Sequence, residues 1–243
     1  MMANVIKVTH EEDFHKVAAH IVASLVQTSP RAVLGLATGG TPVGLYRELI
    51  QIHKQGLVSF AKVKSYNLDE YAGLPTDHPA SYRTFMNEHL FNHIDIQLEN
   101  THVPDGQATD LDAECRLYDE MLSEAVIDLQ VLGIGHNGHI GFNEPDDSLN
   151  PATHVVTLLE QTREANSRYF GSIDEVPAQA ITMGVGSIMK ARQILLLVRG
   201  ADKAEIIHRA VTGPITTQCP ASLLQLHSNV TVLLDAEAGR LFQ

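Results

Sequence analysis

Residues 129–145, LQVLGIGHNGHIGFNEP, constrain this 243-residue chain more than any other stretch. Apolar Leu129, Val131, Leu132 and Ile134 give way to glycines at 133, 135, 138 and 141. His136, Asn137, His139, Asn143 and Glu144 are packed between and after those glycines. A short apolar run reads as a buried strand, and glycine punctuation marks where the chain leaves the sheet. In open α/β sheets ligands bind at that exit, outside the carboxyl end of the strand. Glycines there let the backbone approach a ligand or take positive φ, and a histidine beside a carboxylate can move protons. Gly133-Ile134-Gly135-His136-Asn137-Gly138 also matches the dinucleotide fingerprint G-x-G-x-x-G. That fingerprint needs a helix to open at the glycines, its N-terminus facing a pyrophosphate. Gly141, Asn143 and Pro145 follow instead, so the stretch reads as a catalytic loop.

The rest of the chain alternates strand and helix. Residues 4–8, 32–37, 62–67, 154–159, 180–183, 193–198 and 230–234 read as strands completing one sheet with the run at 129–134. Thr9 with Glu12 reads as a capping box opening a helix to about residue 27, with Phe14, Val17, Ala18, Ile21, Val22 and Leu25 on its buried face. Further helices are expected after Pro42 and over 81–91, 110–124, 162–170, 184–190 and 201–211. In the helix over 110–124, Leu111, Cys115, Leu117, Leu122 and Ala125 are the expected core. Such alternation implies an α/β fold: a single domain over 1–243, built on a mostly parallel open sheet with helices on both faces, a modified Rossmann-like arrangement.

Two more strand ends carry chemistry. Residues 32–37 lead into Thr38-Gly39-Gly40-Thr41-Pro42, where Thr41 suits an N-cap and Pro42 the first helical position. Free backbone N–H groups and the helix dipole there favour an anion; an ordinary strand-to-helix turn would use the same residues, since the P-loop lysine is absent. Residues 62–67 lead into Leu68-Asp69-Glu70-Tyr71, read as the start of a loop over 68–79. Adjacent carboxylates on extended chain point to opposite sides, so only one of Asp69 and Glu70 faces a pocket. Arg163 and Arg168 lie on a polar helix; beside a pocket such arginines act as phosphate forks, and elsewhere they are surface.

Composition excludes several classes. Lys plus Arg is 17 against 29 Asp plus Glu, a net charge of −12, and there is no basic run. Nucleic acid and anionic membranes are therefore not expected partners. Cys115 and Cys219 lie far apart without C-x-x-C spacing, as expected of reduced thiols in a cytoplasmic protein. The N-terminal residues lack an apolar signal core, and no window approaches a membrane span.

Taken together, TGGTP (38–42), YNLDEYAGL (66–74) and GHNGHIGFNEP (135–145) closely resemble the glucosamine-6-phosphate deaminases. These belong to the sugar-phosphate isomerase-like superfamily that also holds 6-phosphogluconolactonases. The likeness continues through His78-Pro79-Ala80-Ser81-Tyr82, Thr162-Arg163, residues 166–170 and 180–186, and Cys219-Pro220-Ala221-Ser222. The resemblance implies conversion of glucosamine 6-phosphate and water to fructose 6-phosphate and ammonia, with no metal and no cofactor. It implies Asp69 as the base at C2 and His139, aided by Glu144, as the ring-opening pair, with Asn137 beside them. Thr38, Gly39, Gly40, Thr41, Gly135, Arg168 and Lys203 would bind the sugar phosphate. Many relatives carry Asp where this chain has Asn137. Asn can orient an imidazole but cannot stabilise an imidazolium by charge, so Glu144 is expected to carry that role. Residues 149–159 contain no Lys or Arg for a regulatory sugar phosphate, which leads us to expect an unregulated monomer or small homo-oligomer. The same fold would also serve a 6-phosphogluconolactonase or a non-catalytic sugar-phosphate sensor; Asp69 argues against the first, and the absence of residues for a partner domain against the second.

Overall fold

The computed structural model describes residues 3–242. Its centre is a seven-stranded sheet, parallel throughout, in the order β1-β10-β9-β6-β2-β3-β5. These strands are β1 (Asn4–Lys7), β2 (Val33–Leu36), β3 (Lys64–Asn67), β5 (Thr101–His102), β6 (Leu129–Leu132), β9 (Ile194–Val198) and β10 (Val230–Leu234). Every residue of β6 and β9 is buried, which is possible only when both faces of a sheet are covered. Among the covering helices are α1 (Glu11–Thr28), α2 (Pro42–Lys54), α4 (Leu111–Ser123) and α7 (Ala204–Thr212). No helix among the described residues is long and apolar enough to cross a membrane.

The strand order explains where the site lies. From β2 the chain steps outward through β3 to β5, then returns to place β6 on the other side of β2 and steps outward again through β9 to β10. The carboxyl ends of β9, β6, β2 and β3 therefore stand side by side across the point where the winding reverses. In a doubly wound sheet that point opens a crevice.

Three expected features differ. Residues 180–183 and 154–159 do not join the parallel sheet. They form β8 (Gln179–Thr182) and β7 (His154–Thr157) of a second, antiparallel sheet, β4-β8-β7. Its third strand, β4 (Asp69–Tyr71), occupies the start of the expected loop. The caps differ too. Helix α1 begins at Glu11 with His10 at its N-cap and no side-chain cap, so Thr9 stands one residue too early to bond the first turn. Thr41 does occupy the N-cap of α2, but its backbone is already helical and its side chain caps nothing, because a capping side chain needs extended geometry at that residue. Finally, Leu117 is 51% exposed on α4, and Tyr118 takes its core position.

β4 shows why alternation matters. Asp69 and Glu70 are both buried but face opposite ways. Glu70 turns from the crevice to the N-terminus of α3 (Tyr82–His89), where its carboxylate accepts from the backbone N–H groups of Tyr71, Tyr82 and Arg83 at 2.8, 2.9 and 3.0 Å. Ser81 caps the same helix, accepting from the Thr84 N–H. Burial raises the Glu70 pKa, and these three bonds oppose the rise. Removing the carboxylate strands three donors, each costing about 1–3 kcal/mol if left unpaired in the interior. Glu70→Ala should thus lose at least about 3 kcal/mol of stability in urea unfolding; an unchanged midpoint would show that the three N–H groups find water.

Candidate active site

The crevice holds a cavity of about 430 Å³. Four strand exits build its walls. β2 contributes Thr38, Gly39, Gly40 and Thr41; β3 runs through Leu68 into Asp69; β6 contributes Gly135, His136, Asn137 and His139; β9 leads through Arg199 to Asp202 and Lys203. Arg168 enters from above, on the one-turn 3₁₀ segment Ser167–Tyr169 that follows α5 (Glu160–Asn166). Among the residues expected in the site, all but Glu144 line this cavity, and Glu144 lies directly behind His139.

The loop after β6 contains no helix until α5, so no helix N-terminus is offered to a pyrophosphate at its glycines. Gly138 and Gly141 take positive φ, 91° and 57°, letting the chain double back so that His139 faces the cavity. Gly135 serves differently: a Cβ there would sit 2.3 Å from both Cε1 and Nε2 of His139. Its bare Cα leaves room for the imidazole.

Glu144 fixes that imidazole. Its Oε2 accepts from His139 Nδ1 at 3.0 Å and from Asn137 Nδ2 at 2.7 Å, and its Oε1 accepts from Thr162 Oγ1 at 2.5 Å. A carboxylate at Nδ1 places the proton there and leaves Nε2 as the free nitrogen beside Gly135. Burial raises the Glu144 pKa, but the bonds from His139, Thr162 and Asn137 outweigh it and hold the carboxyl below its ordinary range. No hydrogen bond from Asn137 to the imidazole is present among the described residues, although its residue type suits one. Its Oδ1 accepts from the His139 backbone N–H at 3.2 Å, so it braces the loop and the carboxylate instead.

Asp69 has the opposite environment. It is 6% exposed, and no hydrogen bond to its carboxylate is present among the described residues. Burial, reinforced by the Glu70 charge, pushes its pKa up to about 8. A carboxylate poised there is a competent general base near neutrality. At the other end of the cavity, Lys203 is pushed down to about 8 by burial and by Arg168, with Asp202 opposing. Arg168, Lys203 and Arg199 make this end cationic, and the Gly39–Gly40 turn adds backbone at close range. Arg163 does not join them; it donates to the carbonyls of Ile173 and Val176 and ties down the segment after α5. Among the described residues no group of three or more His, Cys, Asp or Glu is arranged to hold a metal ion.

Sequence reasoning did not find three of these features: the Thr162 bond to Glu144, Tyr82 in the cavity wall, and a pair between His136 and Asp202 at the rim. Thr162 and Tyr82 lay in recognised motifs without an assigned task. The His136–Asp202 contact spans 66 residues and left no local signal.

The crevice thus brings together a cationic end, a buried carboxyl without a hydrogen-bond partner among the described residues, and a carboxylate-held histidine. The family profile of glucosamine-6-phosphate isomerases and 6-phosphogluconolactonases matches residues 9–233, and the chain belongs to that family. It is 54% identical over 241 residues to a glucosamine-6-phosphate deaminase of Thermoanaerobacter, covering 99% of this chain and 95% of that protein. The structure of a monomeric glucosamine-6-phosphate deaminase superposes with a TM-score of 0.95 at 51% identity, covering 98% and 99% of the two chains. A 6-phosphogluconolactonase from Trypanosoma brucei shares the fold, with a TM-score of 0.80 at 18% identity over 99% of each chain.

The close fit at Gly135 is testable. Gly135→Ala should displace the His139 ring and lower turnover by about 10²-fold, the usual cost of misplacing a reacting group by an ångström, while the melting temperature changes little. Full activity in that variant would mean the ring position is not used.

Proposed function

We propose that this chain is a glucosamine-6-phosphate deaminase, converting glucosamine 6-phosphate and water to fructose 6-phosphate and ammonia. The observation that carries the reading is the convergence on one cavity of an isolated buried base, a carboxylate-held histidine and a cationic end. Arg168, Lys203 and the 38–41 turn bind the phosphate, and that distal binding energy fixes the reacting carbons. His139 takes the proton from the C1 hydroxyl and delivers one to the ring oxygen. The ring opens to a C1 aldehyde, and Glu144 stabilises the imidazolium formed in passing. The carbonyl acidifies C2–H, and Asp69 removes that proton while the C1 oxygen takes one from water, giving an enolamine. Asp69 returns its proton to C1, leaving an iminium at C2; water adds there, one of its protons passes to the nitrogen, and ammonia departs as the remaining hydroxyl loses its proton to give the ketone. Each step needs only proton transfers and water.

A lactonase, which shares the fold, has no step for a base at C2, so the buried Asp69 favours the deaminase. The monomeric state of the similar solved structure supports a monomer, acting as one unit over 1–243, and the acidic, thiol-containing chain supports a cytoplasmic setting. Light scattering at the mass of a single chain would bear out the monomer, and a hexamer would end that part of the reading.

The first experiment is ammonia release from glucosamine 6-phosphate with fructose 6-phosphate read in parallel. We expect equal amounts of both, reduced by at least about 10²–10⁴-fold in Asp69→Asn with sugar-phosphate binding retained. Hydrolysis of 6-phosphogluconolactone without ammonia release would replace this reading with the lactonase. The pH dependence follows from two groups in the free enzyme. Asp69 must be ionised, so kcat/KM rises as pH rises through about 8; Lys203 must be protonated, so it falls as pH rises through about 8. A narrow bell centred near that pH is expected, its alkaline limb moved upward in Lys203→Arg. A flat profile across this range would sink the assignment of both groups.

A further inference from the structure

His136 stands in the catalytic loop between two residues that serve His139, yet no hydrogen bond from its own ring reaches His139 or Glu144. Its Nε2 lies 2.7 Å from Asp202 Oδ2, with both side chains about half exposed at the cavity rim. Asp202 belongs to the turn Ala201–Lys203 after β9, the strand next to β6, and immediately precedes Lys203. Gly200 opens that turn at φ 96°, and a Cβ there would meet Asp202 Oδ1 at 2.5 Å. The glycine thus leaves space for the carboxylate.

This arrangement poses a problem for an anion site. Among the described residues, Asp69 and Asp202 are the two carboxylates lining the cavity, and Asp202 is the one beside its cationic end. The natural partner for a carboxylate next to a lysine is that lysine. Yet no carboxylate lies within ion-pairing distance of Lys203 among the described residues; Asp202 acts on it only at longer range and is bonded to His136 instead. The other charged groups at this end, Arg168 and Arg199, enter from the α5 side and from the end of β9.

We propose that His136 is a positioning residue for phosphate binding: by holding the Asp202 carboxylate at the rim, it keeps the Lys203 ammonium free for the anion. The inference rests on the sugar-phosphate reading of the cavity. Without His136, Asp202 turns to Lys203, neutralises it and stands against the incoming phosphate. The pair therefore sets affinity at the phosphate end and leaves the proton-transfer groups alone.

The test is a double-mutant cycle on His136→Ala, Asp202→Asn and the combination. Two quantities are read: inorganic phosphate binding by calorimetry, and KM and kcat for glucosamine 6-phosphate. His136→Ala should weaken phosphate and raise KM by about tenfold, as expected when an anion site loses a free cation, with kcat within about twofold of the parent. Asp202→Asn should bind phosphate at least as well as the parent, and the double variant should return to parental affinity. That rescue is the signature, because neither a direct His136–phosphate contact nor a general loosening of the loop would be repaired by removing Asp202. Parental binding in His136→Ala, or a double variant as weak as His136→Ala, overturns the proposal. Should His136→Ala fail to fold, Asp202→Asn alone decides: weaker phosphate binding overturns it. An intact cycle without ammonia release would remove the deaminase reading and keep the assignment of the phosphate end; ammonia release with a flat cycle would do the reverse.

Discussion

The arrangement of the site depends on one buried hydroxyl-bearing residue, Thr182. Its backbone stands opposite Asp69 on one side and His154 on the other, at the centre of the small antiparallel sheet. Its side-chain oxygen accepts from the Phe142 N–H at 3.0 Å, inside the glycine-rich loop after β6. Thr182 thus joins the strand that carries Asp69 to the loop that carries His139. One residue further on, the Met183 carbonyl accepts from Asn143 Nδ2, and its N–H donates to Leu68. The loop is long and glycine-rich, and on its own would cost considerable entropy to hold in one shape. Pinned at Phe142 and Asn143, it has little freedom left where the geometry matters.

Two carboxylates share the site and are driven apart. Glu144 accepts three side-chain hydrogen bonds and stays ionised. Asp69 has burial and a neighbouring negative charge, and its proton is held toward neutral pH. Divergent environments of this kind divide labour between chemically similar groups. The division comes from backbone geometry: β4 extends, so Glu70 turns away to cap α3 and Asp69 is left in the crevice without a donor.

The central sheet was legible because β2 and β9 are unbroken apolar runs and β6 and β10 are interrupted only by Gln130 and Thr231, close to the pattern that parallel strands buried on both faces carry. The glycine turns at 38–42 and 133–141 were legible because few other residues suit a strand exit. The small sheet was legible only in part: β7 and β8 read as strands, but of the central sheet, while β4, three residues long, reads as loop. Its pairing is with a segment more than a hundred residues away, which no local pattern announces. The same limit applied within the site. Extended geometry dictated that one of Asp69 and Glu70 faces inward, but only the fold decides which, because the choice is made by the α3 N-terminus that Glu70 caps. The helix start at Thr9 was misjudged, while Thr41 and Pro42 were rightly placed at the start of α2; there only the side-chain cap is missing, because a capping residue type does not by itself give the extended backbone a cap requires.

The hydrophobic interior is divided unequally. One large cluster fills the faces of the parallel sheet, while a small one joins Tyr71, Phe142, Leu158, Phe170, Val176 and Ala180. The small cluster holds β4 with Asp69, the loop after β6 and the segment carrying Arg168 against one another, with the Tyr71 ring packed against those of Phe142 and Phe170. Six side chains bury far less apolar surface than the main core, so opening this unit costs less than unfolding the chain. Local opening of this unit would part Asp69, the loop after β6 and Arg168 from one another while the parallel sheet stays folded.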